Sequence, residues 1–233
     1  MSAGFHTTRW SLVLAATRLY DNAAQRALGE LCTVYRGPLL AHAQRRGLNA
    51  ADAEDAVQGF YERLLRLESL ATARRERGRF RSFLLGAFNH YLSDRHDHAN
   101  AAKRGAGAVT AMDFSDAAIA DADALAPDTA FDKAWALALL DAVLERLRVE
   151  LTDAGKADWF DALAPHLGGR DEQQPQAEVA AALGLSETAL RVALYRLRKR
   201  YKELLRDEVA QTLAKSEDVD AELRHLIAAL RGG

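Results

Sequence analysis

At 233 residues, 49% hydrophobic and 27% charged with a formal net charge of −2, the chain has an ordinary globular composition, enough for one large or two small domains. No apolar run approaches the ~20 residues of a membrane span, and the opening MSAGFHTTRW lacks a basic segment leading into an apolar one, so a cytoplasmic protein without a span is expected. The single cysteine, Cys32, excludes an internal disulfide and lies among Leu28, Leu31 and Val34, the setting of a buried thiol.

In chain order, Trp10, Leu14 and the alanine pair that follows suggest a short opening helix ended near Asp21. Residues 23–36 and 39–46 read as two more, split by Gly37-Pro38, with the proline in the first turn of the second. Asn49 can cap a helix over about 50–67, whose Val57, Phe60, Tyr61, Leu64 and Leu67 make one apolar stripe. Phe80, Phe83, Leu84, Ala87, Phe88, Tyr91 and Leu92 keep the same period. Residues 105–130 then form an acidic, Ala/Gly/Asp-rich tether.

Helical spacing resumes with Leu140, Val143, Leu144 and Leu147, and again with Trp159, Phe160, Leu163 and Leu167; a polar loop runs from Gly168-Gly169 to Pro175. Residues 177–206 read as a short helix, a tight turn and a long basic helix. The apolar spacing of that helix continues through Leu205, Val209 and Leu213. Val219, Leu223, Leu226, Ile227 and Leu230 make a last amphipathic segment that should dock on something. With no sustained period-two alternation and no Asn-Gly hairpin signal, the expected fold is all-α. The expected organisation is a helical domain over 1–104, a linker over 105–130, a second helical domain over 131–206 and an acidic helical extension over 207–233.

The near-neutral total hides segregation of charge. Residues 74–104 carry eight basic against three acidic side chains, and 189–206 carry seven against one, Glu203. Between them 107–132 holds six aspartates and no Lys or Arg, and 207–223 holds six acids against Lys215. Two cationic modules on an acidic tether suit two contacts with nucleic acid. The 26-residue tether spans about 28 Å as a coil and about 90 Å extended, and two turns of B-DNA span about 70 Å.

The segment 177–206 carries the most specific signal. Ala180 is small where two helices cross, Gly184 is free to adopt a left-handed turn, and Ser186 can cap the second helix. Leu190, Leu194, Leu197, Tyr201 and Leu204 fall on one face of that helix for packing. Glu187, Thr188, Arg191, Val192 and Tyr195 fall in its N-terminal turns, from which recognition helices read bases. Arg196, Arg198, Lys199 and Arg200 suit phosphates, adding affinity and register without sequence information.

Three stretches, in order, resemble the extracytoplasmic-function (ECF) group of bacterial RNA polymerase sigma factors over most of residues 20–206. Asp52-Ala53-Glu54-Asp55-Ala56-Val57-Gln58 is similar to the segment with which these factors grip the clamp of the polymerase largest subunit. Phe80-Arg81-Ser82-Phe83-Leu84 followed by Asp94-Arg95 is similar to their segment that opens and reads the minus-10 element, and Gly184 to Arg200 to their minus-35 helix-turn-helix. The resemblance implies a non-catalytic specificity subunit without a cofactor. Its partners would be core RNA polymerase, promoter DNA and an anti-sigma or other regulatory protein. Asp52, Glu54, Asp55, Gln58 and Glu62 would dock the polymerase; Arg77, Arg79, Arg81, Asn89, His90 and Arg95 would serve the minus-10 strand, with Arg74 and Arg75 as further cations. The chain departs from the family in three places. His96-Asp97-His98-Ala99-Asn100-Ala101-Ala102 stands where the family is arginine-rich, the Asn common at the position of His90 is shifted to Asn89, and Ala189 and Ala193 replace a frequent Thr and Arg. The acidic tail or tether is expected to cover a basic patch until polymerase binds.

Two other classes compete. A stand-alone regulator would bind duplex DNA through 177–206 and use the first half for dimerisation or sensing. A metal-dependent phosphohydrolase would use His96-Asp97, with His90 and His98 nearby and His42 or Asp94 recruited. Adjacent residues on one helix, however, point about 100° apart, and no P-loop, Gly-x-Ser-x-Gly or Cys/His zinc spacing is present.

Overall fold

The computed structural model describes residues 9–10, 22–66, 79–103, 128–167, 175–214 and 218–231. These residues form eight α-helices and one short 3-10 turn, with no strand among them; an isolated antiparallel bridge joins Arg79 to Leu213. The helices are α1 Asn22–Arg45, α2 Ala50–Arg66, α3 Phe80–Lys103, α4 Thr129–Asp153, α5 Ala157–Leu163, α6 Gln176–Ala182, α7 Glu187–Gln211 and α8 Val219–Arg231. No helix among the described residues is long and apolar enough to cross a membrane.

The expected pair of helices before Asn49 is one helix, α1, with Pro38 inside it. Proline removes one intrahelical hydrogen bond and favours a break. Here Leu28, Leu31, Cys32, Tyr35, Leu39, His42 and Ala43 all lie buried, so the same face is covered on both sides of the proline and packing outweighs the lost bond. Gly47 ends the helix with φ +95, letting Leu48 N–H reach back to the Ala43 carbonyl at 3.2 Å. Asn49 caps α2 as expected: its Oδ1 accepts from Asp52 N–H at 2.9 Å, and its Nδ2 donates to Asp52 Oδ2 at 2.8 Å.

The chain divides into two compact units, one made of 1–138 with 209–233, the other of 139–208. In the first, Val57, Phe60 and Leu64 of α2 lie buried, as do Phe83, Leu84 and Phe88 of α3. Phe60 and Phe88 meet at 5.1 Å, and Trp10 and Tyr35 each lie 5.0 Å from Phe80. Each such side chain contributes about 1.5–3 kcal/mol on burial. The helices approach closely at Gly59, where an added Cβ would lie 2.5 Å from the Tyr91 hydroxyl.

The bounds of the first unit differ from the sequence segments because its core draws on residues beyond 104. Phe131 and Trp135 at the start of α4, Val209 and Leu213 at and after the end of α7, and Val219 and Leu226 of α8 are buried. Of the tether, 105–127 lies outside the described residues, while its last three residues are Asp128 and the first two of α4. The core of the second unit is Val143, Leu147, Leu163, Val179, Ala180, Leu190, Leu194, Leu197 and Leu204, with Trp159, Phe160 and Leu167 packed against it.

Candidate polymerase and nucleic-acid interfaces

On α2 a buried stripe and an acidic ridge share one helix. Ala53, Ala56, Val57, Phe60 and Leu64 turn inward, leaving Asp52, Glu54, Asp55, Gln58 and Glu62 exposed. Four of these have local partners. Asp52 completes the cap with Asn49, Glu54 pairs with Arg36 of α1, and Gln58 donates to Glu62 at 3.3 Å. Exposed pairs of this kind contribute little, so the ridge can exchange them for an external cation.

The candidate minus-10 residues divide sharply. Arg81, expected to face nucleic acid, is instead buried, with 9% of its surface exposed. Its Nε donates to Glu222 Oε1 at 2.6 Å and its Nη1 to Asp132 Oδ1 at 2.9 Å, while the guanidinium lies over the Trp135 ring at 5.4 Å. Burial alone would lower the pKa of this group; the hydrogen bond and charge of Glu222, with Asp132, overcome that and raise it. Asp132 also meets His225 Nε2 at 3.0 Å. Arg79, 41% exposed, stands 3.0 Å from the other Glu222 oxygen. Asn89 has its amide oxygen 2.7 Å from His42 Nε2, and His90 lies 3.7 Å from Asp94, which also accepts from Arg63 at 3.1 Å. Arg95 is exposed, as are His96, Asp97 and His98. Arg74, Arg75 and Arg77 lie outside the described residues.

A second polar cluster, centred on His42, holds the start of α4. Its Nδ1 is 2.7 Å from Asp128 Oδ2, Arg45 donates to both Asp128 oxygens at 3.1 and 3.2 Å, and Asp128 Oδ1 caps the helix by accepting from Phe131 N–H at 2.9 Å. Desolvation raises the Asp128 pKa, but the bonds from Phe131 and His42 and the charge of Arg45 outweigh it and hold the carboxyl below its usual range. Among the described residues no three His, Cys, Asp or Glu side chains stand together as metal ligands.

In the second unit, α6 and α7 are joined by a turn that Gly184 makes with φ +64, so that Leu185 N–H bonds the Ala180 carbonyl at 2.8 Å. Ser186 Oγ accepts from Ala189 N–H at 3.2 Å, capping α7. Leu190, Leu194, Leu197 and Leu204 pack inward. Glu187, Thr188, Arg191, Val192 and Tyr195 are exposed, Tyr195 to 68%, an unusual degree for so large a ring. Arg191 meets Glu187 at 3.3 Å. Arg196 and Lys199 are also exposed. Arg198 donates to the His166 carbonyl at 2.8 Å. Arg200 differs from its expected phosphate role: its Nε and Nη2 grip both oxygens of Glu150 at 2.8 Å each, which raises its pKa and lowers that of Glu150.

No family model, curated protein or solved structure matches this chain.

The side chains of these clusters that sequence reasoning passed over are carboxylates. Glu222, counted among the acids of the tail but given no partner of its own, has 0% exposure and sits between Val219 and Leu226 on the buried face of α8. Asp132 lies likewise beside Phe131 and one turn from Trp135 and Ala136. A carboxylate in register with an apolar stripe is a legible sign of a buried ion pair, because such a group is retained only when a cation meets it. Glu150 carries no comparable mark.

Proposed function

We propose that the chain is an ECF-type sigma factor, a non-catalytic subunit that brings core RNA polymerase to promoters. In this reading the first helical domain docks polymerase and serves the minus-10 element. An acidic linker joins it to a second helical domain, whose helix-turn-helix reads the minus-35 element. The observation that carries the reading is the exposed face of α7: Thr188, Arg191, Val192 and Tyr195 stand in its first turns, with Arg196 and Lys199 beyond them and leucines on the opposite side. That division suits base edges near the helix start and phosphates further along.

The exposed ridge Asp52, Glu54, Asp55, Gln58 and Glu62 supports polymerase docking, since carboxylates on a rigid helix steer a basic partner and fix its register. For the minus-10 strand, exposed Arg95 and half-exposed Arg79, which stands beside Glu222, are the candidate cations, and Asn89 and His90 the polar groups toward an unstacked base. Reversing one ridge charge tests the docking role. Asp55→Arg is expected to weaken association with core polymerase at least tenfold, with unchanged circular dichroism. Normal binding by that variant contradicts the docking role, and failure of the unaltered chain to bind core favours a stand-alone regulator.

A further inference from the structure

Two arginines at the start of α3 share one carboxylate from the far end of the chain. Glu222 Oε1 takes Arg81 Nε at 2.6 Å, and Glu222 Oε2 stands 3.0 Å from Arg79 Nε. The two contacts are not equivalent. Arg81 is well aligned and also bound to Asp132, whereas Oε2 meets Arg79 without hydrogen-bond alignment, and Arg79 keeps 41% of its side chain exposed.

Few fully buried side chains anchor α8. It has 13 residues, of which Val219, Glu222 and Leu226 are buried. A helix of that length is marginal in water on its own. Its fully buried anchors are thus two aliphatic side chains and Glu222, beside partly buried Leu223 and Leu230 and the half-exposed His225–Asp132 contact. A buried ion pair is a weak source of net stability, because desolvation of both charges offsets most of the attraction. A phosphodiester offers the same arginines an anion without that penalty on the carboxylate, and a bidentate one.

From this arrangement we infer that α8 is an internal competitor for nucleic acid: Glu222 occupies Arg79 and Arg81 in the free chain, and a single-stranded phosphate backbone takes them when α8 lifts away. The inference rests on the proposed function only for naming the displaced promoter strand as the natural competitor. It gives the acidic tail a specific contact rather than a diffuse electrostatic one.

The test uses a fluorescent thymidine 20-mer and no polymerase, so its result is independent of whether the chain binds core enzyme. Glu222→Gln is expected to bind the oligonucleotide at least threefold more tightly than the unaltered chain. Its dependence on salt should steepen by about 0.7 in log–log slope for each arginine freed. Adding Arg79→Gln to that variant should cancel most of the gain. Equal or weaker binding by Glu222→Gln, with an intact circular dichroism spectrum, overturns the inference. Hydrogen exchange on the unaltered chain covers the case in which the variant does not fold: amides of 219–231 should exchange at least tenfold faster with saturating oligonucleotide, and unchanged or increased protection there overturns the inference as well.

Discussion

Asp128 shows how much a single side chain can organise. Its carboxylate caps α4, meets His42 and Arg45 of α1, and so fastens the start of α4 to α1. Because its folded-state pKa is lowered, its charge adds stability that is present above the unfolded value of about 3.9 and lost as pH falls through the folded value. Asp128→Asn keeps the cap geometry and removes the charge. It is expected to cost about 1–3 kcal/mol at pH 7, with the gap from the unaltered chain narrowing in acid, both read from urea unfolding midpoints. A gap that holds constant down to pH 2 contradicts the charge-based account. Cys32 illustrates the opposite case of a residue whose state was legible beforehand: flanking leucines pointed to burial, and burial pushes its thiol up to about 12. The burial of Arg81 was not legible because arginine is ordinarily a surface residue, and its two carboxylate partners lie 51 and 141 positions away in sequence.

Among the elements, helices with a capped start and a regular apolar stripe were the most legible. α2 follows its Asn49 cap and α7 its Ser186 cap, and the leucines of α7 face inward as their spacing required. α1 was read as two helices because Gly-Pro is a strong local breaker, while the burial of one continuous face is a tertiary effect. The last helix was legible as amphipathic, but its docking place was not, since nothing local in 219–231 names the partner of Glu222. The exposed face of α7 lends itself to separation of roles. Tyr195→Ala removes a side chain already 68% exposed, so its stability cost should stay within about 0.5 kcal/mol. If Tyr195 reads a base, the variant should lose about 1–3 kcal/mol of discrimination at one position of the minus-35 duplex. Lys199→Gln, in contrast, should weaken all duplexes alike and reduce the salt slope by about 0.9. Binding-array measurements on single-substituted duplexes distinguish the two, and equal loss across all sequences for Tyr195→Ala contradicts its base-reading role.

For the whole molecule, the charge map is the feature that composition conceals. A chain with a net charge of −2 carries strongly cationic stretches at 74–104 and 189–206 and acidic stretches that interrupt them. Buried carboxylates take up part of that cationic charge, Glu222 and Asp132 in the first unit, and half-exposed Glu150 takes up more in the second, leaving Arg95, Arg196 and Lys199 exposed for an external anion. Cation counts along the sequence thus overstate the charge free to act, and the segment bounds drawn from them miss that 209–233 belongs with the first unit. The central claim is that these two cationic helical modules act through core polymerase. Run-off transcription on a library of promoter fragments, with purified core enzyme and this chain, tests it most directly. Initiation at a defined subset of fragments, dependent on the chain and lost with Asp55→Arg, is the expected result. Duplex binding by the chain with no initiation by the core enzyme on any fragment would contradict it.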